Sequence, residues 1–170
     1  IIQMVVVPVI HDAVPIGGVS NSVFYNDFLS GHHDAELIFE QLPFDHPLYI
    51  MYSSGTTGVP KCIVHSAGGT LIQHLKEQQL HTDLKPEDKL FYFTTCGWMM
   101  WNWLVSGLAS EATLILYDGS PFYPEAKSLI DMAEEEQVSI FGTGAKYIGA
   151  LEKAGVVPRQ THNLQYLTTL

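Results

Sequence analysis

Positive charge is scarce in this sequence. Eight Lys and Arg residues stand against eighteen Asp and Glu, giving a net charge of −10, and none of the eight precedes Lys61. That balance argues against nucleic acid as a partner, because binding a phosphodiester backbone needs clustered cations. Cysteine is nearly absent too. Cys62 and Cys96 form neither a disulfide framework nor a CxxC pair, so reduced thiols in the cytosol are expected. No apolar run reaches the roughly 20 residues that cross a bilayer, so no membrane span is expected. The opening "IIQMVVVPVI" has no basic segment and no small-residue cleavage site, and it reads as a buried strand rather than a signal peptide. The chain does not start on methionine and closes on the apolar run "LQYLTTL", which reads as an internal piece of a longer protein. Its eight histidines match no zinc spacing: His74 and His81 would share a helical face, but no carboxylate or thiol completes a set, and no metal site is expected.

Apolar side chains are plentiful, at 46% of 170 residues with only 15% charged, which describes about one globular domain. The valine-rich run 3–10 reads as a strand covered on both faces. "VFYNDFLSG" suits a short helix ending near Gly31, and an irregular stretch follows to Pro47. Strands are expected over 48–52 and around 63–65. From Gly69 the period changes to that of a helix, with Leu71, Ile72 and Leu75 inward and Lys76, Glu77 and Gln78 outward. Strands at 90–95, "ATLILYDG", "VSIFGTG" and "LQYLTTL" then alternate with three helices. The first, "GWMMWNWLVSGLAS", is apolar nearly all round and reads as buried. The second opens at Pro124 and the third stops at Gly155. This alternation predicts an α/β fold with a largely parallel sheet and flanking helices.

One stretch stands apart: "YSSGTTGVPKCIVHS", between two apolar strands. Gly55 and Gly58 permit close backbone approach, and Ser53, Ser54, Thr56 and Thr57 add neutral donors. Lys61 adds a cation presented by the stiff Pro60. Such a set suits a phosphate. It is not a Walker A loop, because Val59-Pro60 intervene before the lysine and Cys62 stands where Ser or Thr would hold magnesium. A flexible Ser/Thr/Gly surface loop would have the same composition, but not its tight apolar brackets.

The same residues closely resemble the signature phosphate loop of the adenylate-forming superfamily, [ST]SG[ST]TGxPKG, with Cys62 in place of the last glycine. "TTCGWMMWNWLVSGLASEATLILYDGSPFYP" and "GTGAKYIGALEKA" extend the resemblance over nearly the whole chain, and "GWMMWNW" is similar to the acetoacetate-activating members in particular. The resemblance implies that residues 1–170 are part of the large N-terminal AMP-binding domain, truncated, with the C-terminal domain absent. It implies an acid–CoA ligase: a carboxylate attacks the α-phosphate of ATP, then the thiol of coenzyme A displaces AMP. Acetoacetate, ATP and CoA are the implied small-molecule substrates, and Mg2+ the implied ion, with its ligands outside this chain. No protein partner is implied. In this reading Ser53, Ser54, Gly55, Thr56, Thr57, Gly58 and Lys61 hold the phosphates, with Lys61, Thr56 and Thr57 assisting the chemistry. Trp98, Met99, Met100, Thr143 and Gly144 line the acyl and CoA pocket, and Trp101 and Trp103 pack the core.

The family's later motifs for adenine, magnesium and the domain hinge do not occur in these residues, so the 170-residue chain alone is expected to be inert. Acetyl- or propionyl-CoA synthetase chemistry fits the same loop, as does a nucleotide-binding module without chemistry. "VHSAGG" would make Ser66 a hydrolase nucleophile, but a nucleophile elbow needs glycine where Val64 stands.

Overall fold

In a computed structural model the described residues are 2–10, 15–30, 36–53 and 58–170. They fall in two compact units, 1–41 and 42–170.

In the first unit, β1 (Met4–Val6) pairs in parallel with β2 (Ser22–Phe24), and α1 (Tyr25–Leu29) follows. The expected strand over 3–10 is therefore three residues long and half exposed. Pro8 has no N–H to give a ladder, and beyond β1 the side chains of Val9 and Ile10 are exposed. The helix expected in "VFYNDFLSG" gives its first two residues to β2. Gly31, its expected end, lies outside the described residues, as do His32 and His33.

The second unit opens on an antiparallel hairpin, β3 (Pro47–Ser53) and β4 (Lys61–Ser66), so the sheet content is mixed rather than parallel throughout. α2 (Ala67–Leu75) follows at once and continues into a π-helical turn, Lys76–His81. Its buried face is Thr70, His74 and Gln78, whereas Leu71 and Ile72 are exposed. The inward face is thus polar, the reverse of the hydrophobic pattern, because it meets carbonyl and hydroxyl groups of a neighbouring helix.

A three-stranded parallel sheet forms the centre, ordered β6 (Thr113–Ile115), β5 (Lys89–Tyr92), β7 (Ile140–Gly142). Adjacent residues of β5 and β7 point to opposite faces, as the period of two requires. Leu90 and Ile140 pack with Trp103 and Leu104, while Phe91 and Phe141 pack with Leu129, Ile130, Tyr147 and Leu151. Covered on both sides, these strands read as unbroken apolar runs. α3 (Met99–Val105) and the 3-10 turn Ser106–Ser110 lead from β5 to β6. α4 (Ser128–Glu135) leads back across to β7, and α5 (Ala145–Lys153) follows. α3 packs in one apolar cluster and α4 in the other. Crossovers of one hand that run in opposite directions give this placement.

Three expectations change in detail. α3 is not buried all round: Trp103 and Leu104 are, but Trp98, Met99 and Leu108 are exposed. The helix expected from Pro124 starts at Ser128, after a turn in which the Ser128 Oγ donates to the Glu125 carbonyl at 2.7 Å. The last expected strand is a single bridge from Thr169 to Ile140, preceded by a short α6 (Pro158–Thr161).

Candidate functional site: a phosphate hairpin beside an acyl cleft

The hairpin register sets Tyr49 opposite His65, Met51 opposite Ile63 and Ser53 opposite Lys61. Directly opposed residues of an antiparallel pair project from the same face, and alternate pairs share it. Ser53 and Lys61 therefore stand together where the two strands join the connecting segment, above Met51, Ile63, Tyr49 and His65. Lys61 is the first residue of β4, not part of a loop as its setting in the sequence suggested. Gly58 has φ +152°, a backbone setting L side chains rarely adopt, in open space. Ser54, Gly55, Thr56 and Thr57, the middle of the expected phosphate site, lie outside the described residues.

The face carrying Lys61 is also the face that meets α3. Asn102 on α3 places Nδ2 3.6 Å from Met51 Sδ. At the hairpin's base the Tyr49 and His65 rings lie 5.3 Å apart, and both line a crevice of about 350 Å³ with Thr70, His74 and Met99. Burial raises the Tyr49 phenol, and the nearby Thr70 hydroxyl draws it partly back.

Beyond α3 lie the carboxyl ends of the parallel strands. β5 leads to β6 on one side and β7 lies on the other, so the crevice above β5 is a topological switch point, where open α/β sheets receive ligands. A cleft of about 430 Å³ there is walled by Thr94, Thr95, Trp98, Met100, Gly144 and Lys146. The structure thus brings Trp98, Met100 and Gly144 together. Met99 sits instead in the crevice against the hairpin, and Thr143 lines a separate apolar groove beside α5, with its Oγ1 buried and unpartnered. Trp103 is core and Trp101 is partly buried against it. Sequence reasoning missed Tyr49, His65, Asn102 and Lys146. The pairing of Tyr49 with His65 was open to anyone who set the two strands in register; Lys146 carried no local signal.

Ser66 stands at the N-cap position of α2 with φ −83° and ψ 152°, an ordinary extended setting and not the strained turn that presents a hydrolase nucleophile. Among the described residues no three His, Cys, Asp or Glu side chains converge on a possible metal site.

A family model described as AMP-binding enzyme matches residues 12–166. The chain belongs to the AMP-binding enzyme family. It is 58% identical over 164 residues to the acetoacetyl-coenzyme A synthetase of Rhizobium meliloti (strain 1021), covering 96% of this chain and 25% of that protein. It is 53% identical to the acetoacetyl-CoA synthetase of Gallus gallus, over 99% of this chain and 26% of that one. The solved structure of the Streptomyces lividans acetoacetyl-CoA synthetase superposes with a TM-score of 0.85 at 43% identity, covering 98% of this chain and 25% of that one. The chain spans about a quarter of the length of the relatives it matches.

Proposed function

We propose that this chain is the phosphate- and acid-binding part of an ATP-dependent ligase that joins acetoacetate to coenzyme A, releasing AMP and pyrophosphate. The observation that carries the reading is the pairing of Ser53 with Lys61 beside the connecting segment of a hairpin, in a chain 58% identical to a protein named for that product. Both units are assigned to one N-terminal AMP-binding domain, which the family match across 12–166 supports.

Two displacements make up the reaction. An acetoacetate carboxylate oxygen attacks the α-phosphorus of ATP, and the bond to the bridging oxygen breaks with pyrophosphate leaving. The CoA thiol, giving up its proton, then attacks the acyl carbonyl, and the carbon–oxygen bond to AMP breaks. Negative charge builds on the departing pyrophosphate, where preorganised donors count most. Lys61, with the hydroxyls of Ser53, Ser54, Thr56 and Thr57 and the backbone at Gly55 and Gly58, is assigned to hold that charge. The cleft at Trp98, Met100 and Gly144 is assigned to the acid and the CoA thiol, with Met99 and Thr143 contributing from neighbouring cavities; its thioether surface adapts to a short acyl chain. Mg2+ would accompany the ATP. Among the described residues no three His, Cys, Asp or Glu side chains converge to hold it. A cytosolic setting belongs to the same proposal and is supported by the free, exposed thiols of Cys62 and Cys96. No helix among the described residues is long and apolar enough to cross a membrane.

ATP–pyrophosphate exchange by the intact protein, run with acetoacetate, acetate, propionate and butyrate in parallel, tests the reading. Exchange fastest with acetoacetate is expected. Exchange with acetate alone would move the chain to a different acid specificity, and none with any acid would remove the ligase reading.

A further inference from the structure

We infer that Gln78, His74 and Ser106 form a buried polar lock that fixes α3, and so the acyl cleft, against the helix leaving the phosphate hairpin, with His74 held as its Nδ1–H tautomer. Gln78 is fully buried and its Oε1 has no partner among the described residues, so what holds the amide in this costly place is the pair of bonds its Nε2 makes. Its Nε2 donates to the Trp103 carbonyl at 2.7 Å and to Ser106 Oγ at 3.0 Å. Ser106 Oγ donates to the same carbonyl at 2.7 Å, and His74 Nδ1 lies 2.9 Å from Ser106 Oγ.

The protons can be counted. A serine hydroxyl has one hydrogen and two lone pairs. Its hydrogen goes to the Trp103 carbonyl, which can only accept, and one lone pair takes the Gln78 amide, which can only donate. The remaining contact, from His74 Nδ1, must therefore carry its own hydrogen. That leaves the ring's lone pair on Nε2, and His74 lines the crevice it shares with Tyr49, Thr70 and Met99.

The geometry has a purpose at Trp103. There α3 gives way to the 3-10 turn at Ser106, and the carbonyls at a helix end need partners from elsewhere. Gln78 and Ser106 supply them. The π-helical turn after α2 has more residues per turn than an α-helix, which counters the drift of positions spaced by four and keeps Gln78 beneath His74. Gly107 seats the turn on the sheet, where an added Cβ would lie 3.0 Å from methyls of Leu90 and Leu114. With its far end held in this way, α3 presents Trp98 and Met100 to the cleft in one orientation. These three are positioning residues; none is assigned to touch the substrate.

Two experiments on the intact protein test this, and only one rests on the proposed reaction. Neutron diffraction should place deuterium on His74 Nδ1 and the Ser106 deuteroxyl towards the Trp103 carbonyl; deuterium on Nε2 alone would overturn the lock whatever the enzyme's substrate. In kinetics, Gln78→Leu and Ser106→Ala should lower kcat/KM for the acid about ten- to a hundredfold through misplacement of the cleft, with KM for ATP within about twofold. Ser106→Thr, which keeps the hydroxyl, should restore most of the loss. Equal losses for acid and ATP, or no rescue by threonine, would reduce the network to general stability and sink the inference.

Discussion

Ser53 and Lys61 face one another as the last pair of the hairpin ladder, their side chains on the face that also meets α3 through Met51 and Asn102. The pairing joins two assignments. On the proposed reading, the residue pair assigned to phosphate and the helix that carries Met100 are linked through this one contact.

Gly58 tests whether the hairpin's shape matters apart from its charges. At φ +152° with open space around it, an added methyl meets no atom but strains the backbone. Gly58→Ala should cost about 1–3 kcal/mol locally, by stability or by distortion of the turn. The expected readout is a raised KM for ATP with KM for the acid little changed. An unchanged KM for ATP would detach the turn from the nucleotide.

Gly142 tests the floor of the cleft. A Cβ there would collide with the ring of Tyr92, which lies across from it in the sheet and lines the cleft. Gly142→Ala should destabilise the protein by about 1–3 kcal/mol in urea unfolding, as overpacking does. In a Tyr92→Ala background the same change should cost much less, since neighbours that clash are not additive. Equal costs in both backgrounds would contradict this packing.

His74 should leave a mark on acid stability. Burial lowers its pKa below the ordinary 6.5, with nearby Glu77 opposing and His65 adding to the shift. Between the lowered folded value and about 6.5 the unfolded chain binds more protons, so stability is full above about pH 6.5 and falls as pH drops through that window. Tm measured from pH 8 to pH 5 should decline less steeply in His74→Gln than in the parent. Parallel declines would show that His74 is not buried neutral.

Much of this architecture was legible in the sequence, and the misses share a cause. "LFYFTT" and "VSIFGTG" read as strands, and their apolar runs arise because Leu90 and Phe91, or Ile140 and Phe141, serve opposite apolar layers. α2 deceived the pattern because hydrophobicity takes apolar residues as the inward ones. Its true inner face is Thr70, His74 and Gln78, and the last two are specified by hydrogen-bond partners 25 and 32 residues away, at Trp103 and Ser106. The run at 3–10 deceived it the other way: valines promise burial, but among the described residues β1 pairs with β2 alone, over Met4 to Val6. At the site, glycine, hydroxyl and lysine were visible as a set. That Lys61 belongs to a strand opposite Ser53, and that Lys146 joins Trp98 and Met100 in one cleft, depends on register and crossover, which residue types alone do not encode.

The most direct measurement is ATP–pyrophosphate exchange with acetoacetate by the intact protein and its Lys61→Ala variant, with Tm taken on both. If Lys61 holds the charge of the departing pyrophosphate, exchange should fall by a factor on the order of 10²–10³, the loss of about 2.7–4 kcal/mol of transition-state stabilisation, while Tm stays nearly unchanged. Equal exchange rates in the two proteins would contradict that role and the account of the hairpin with it.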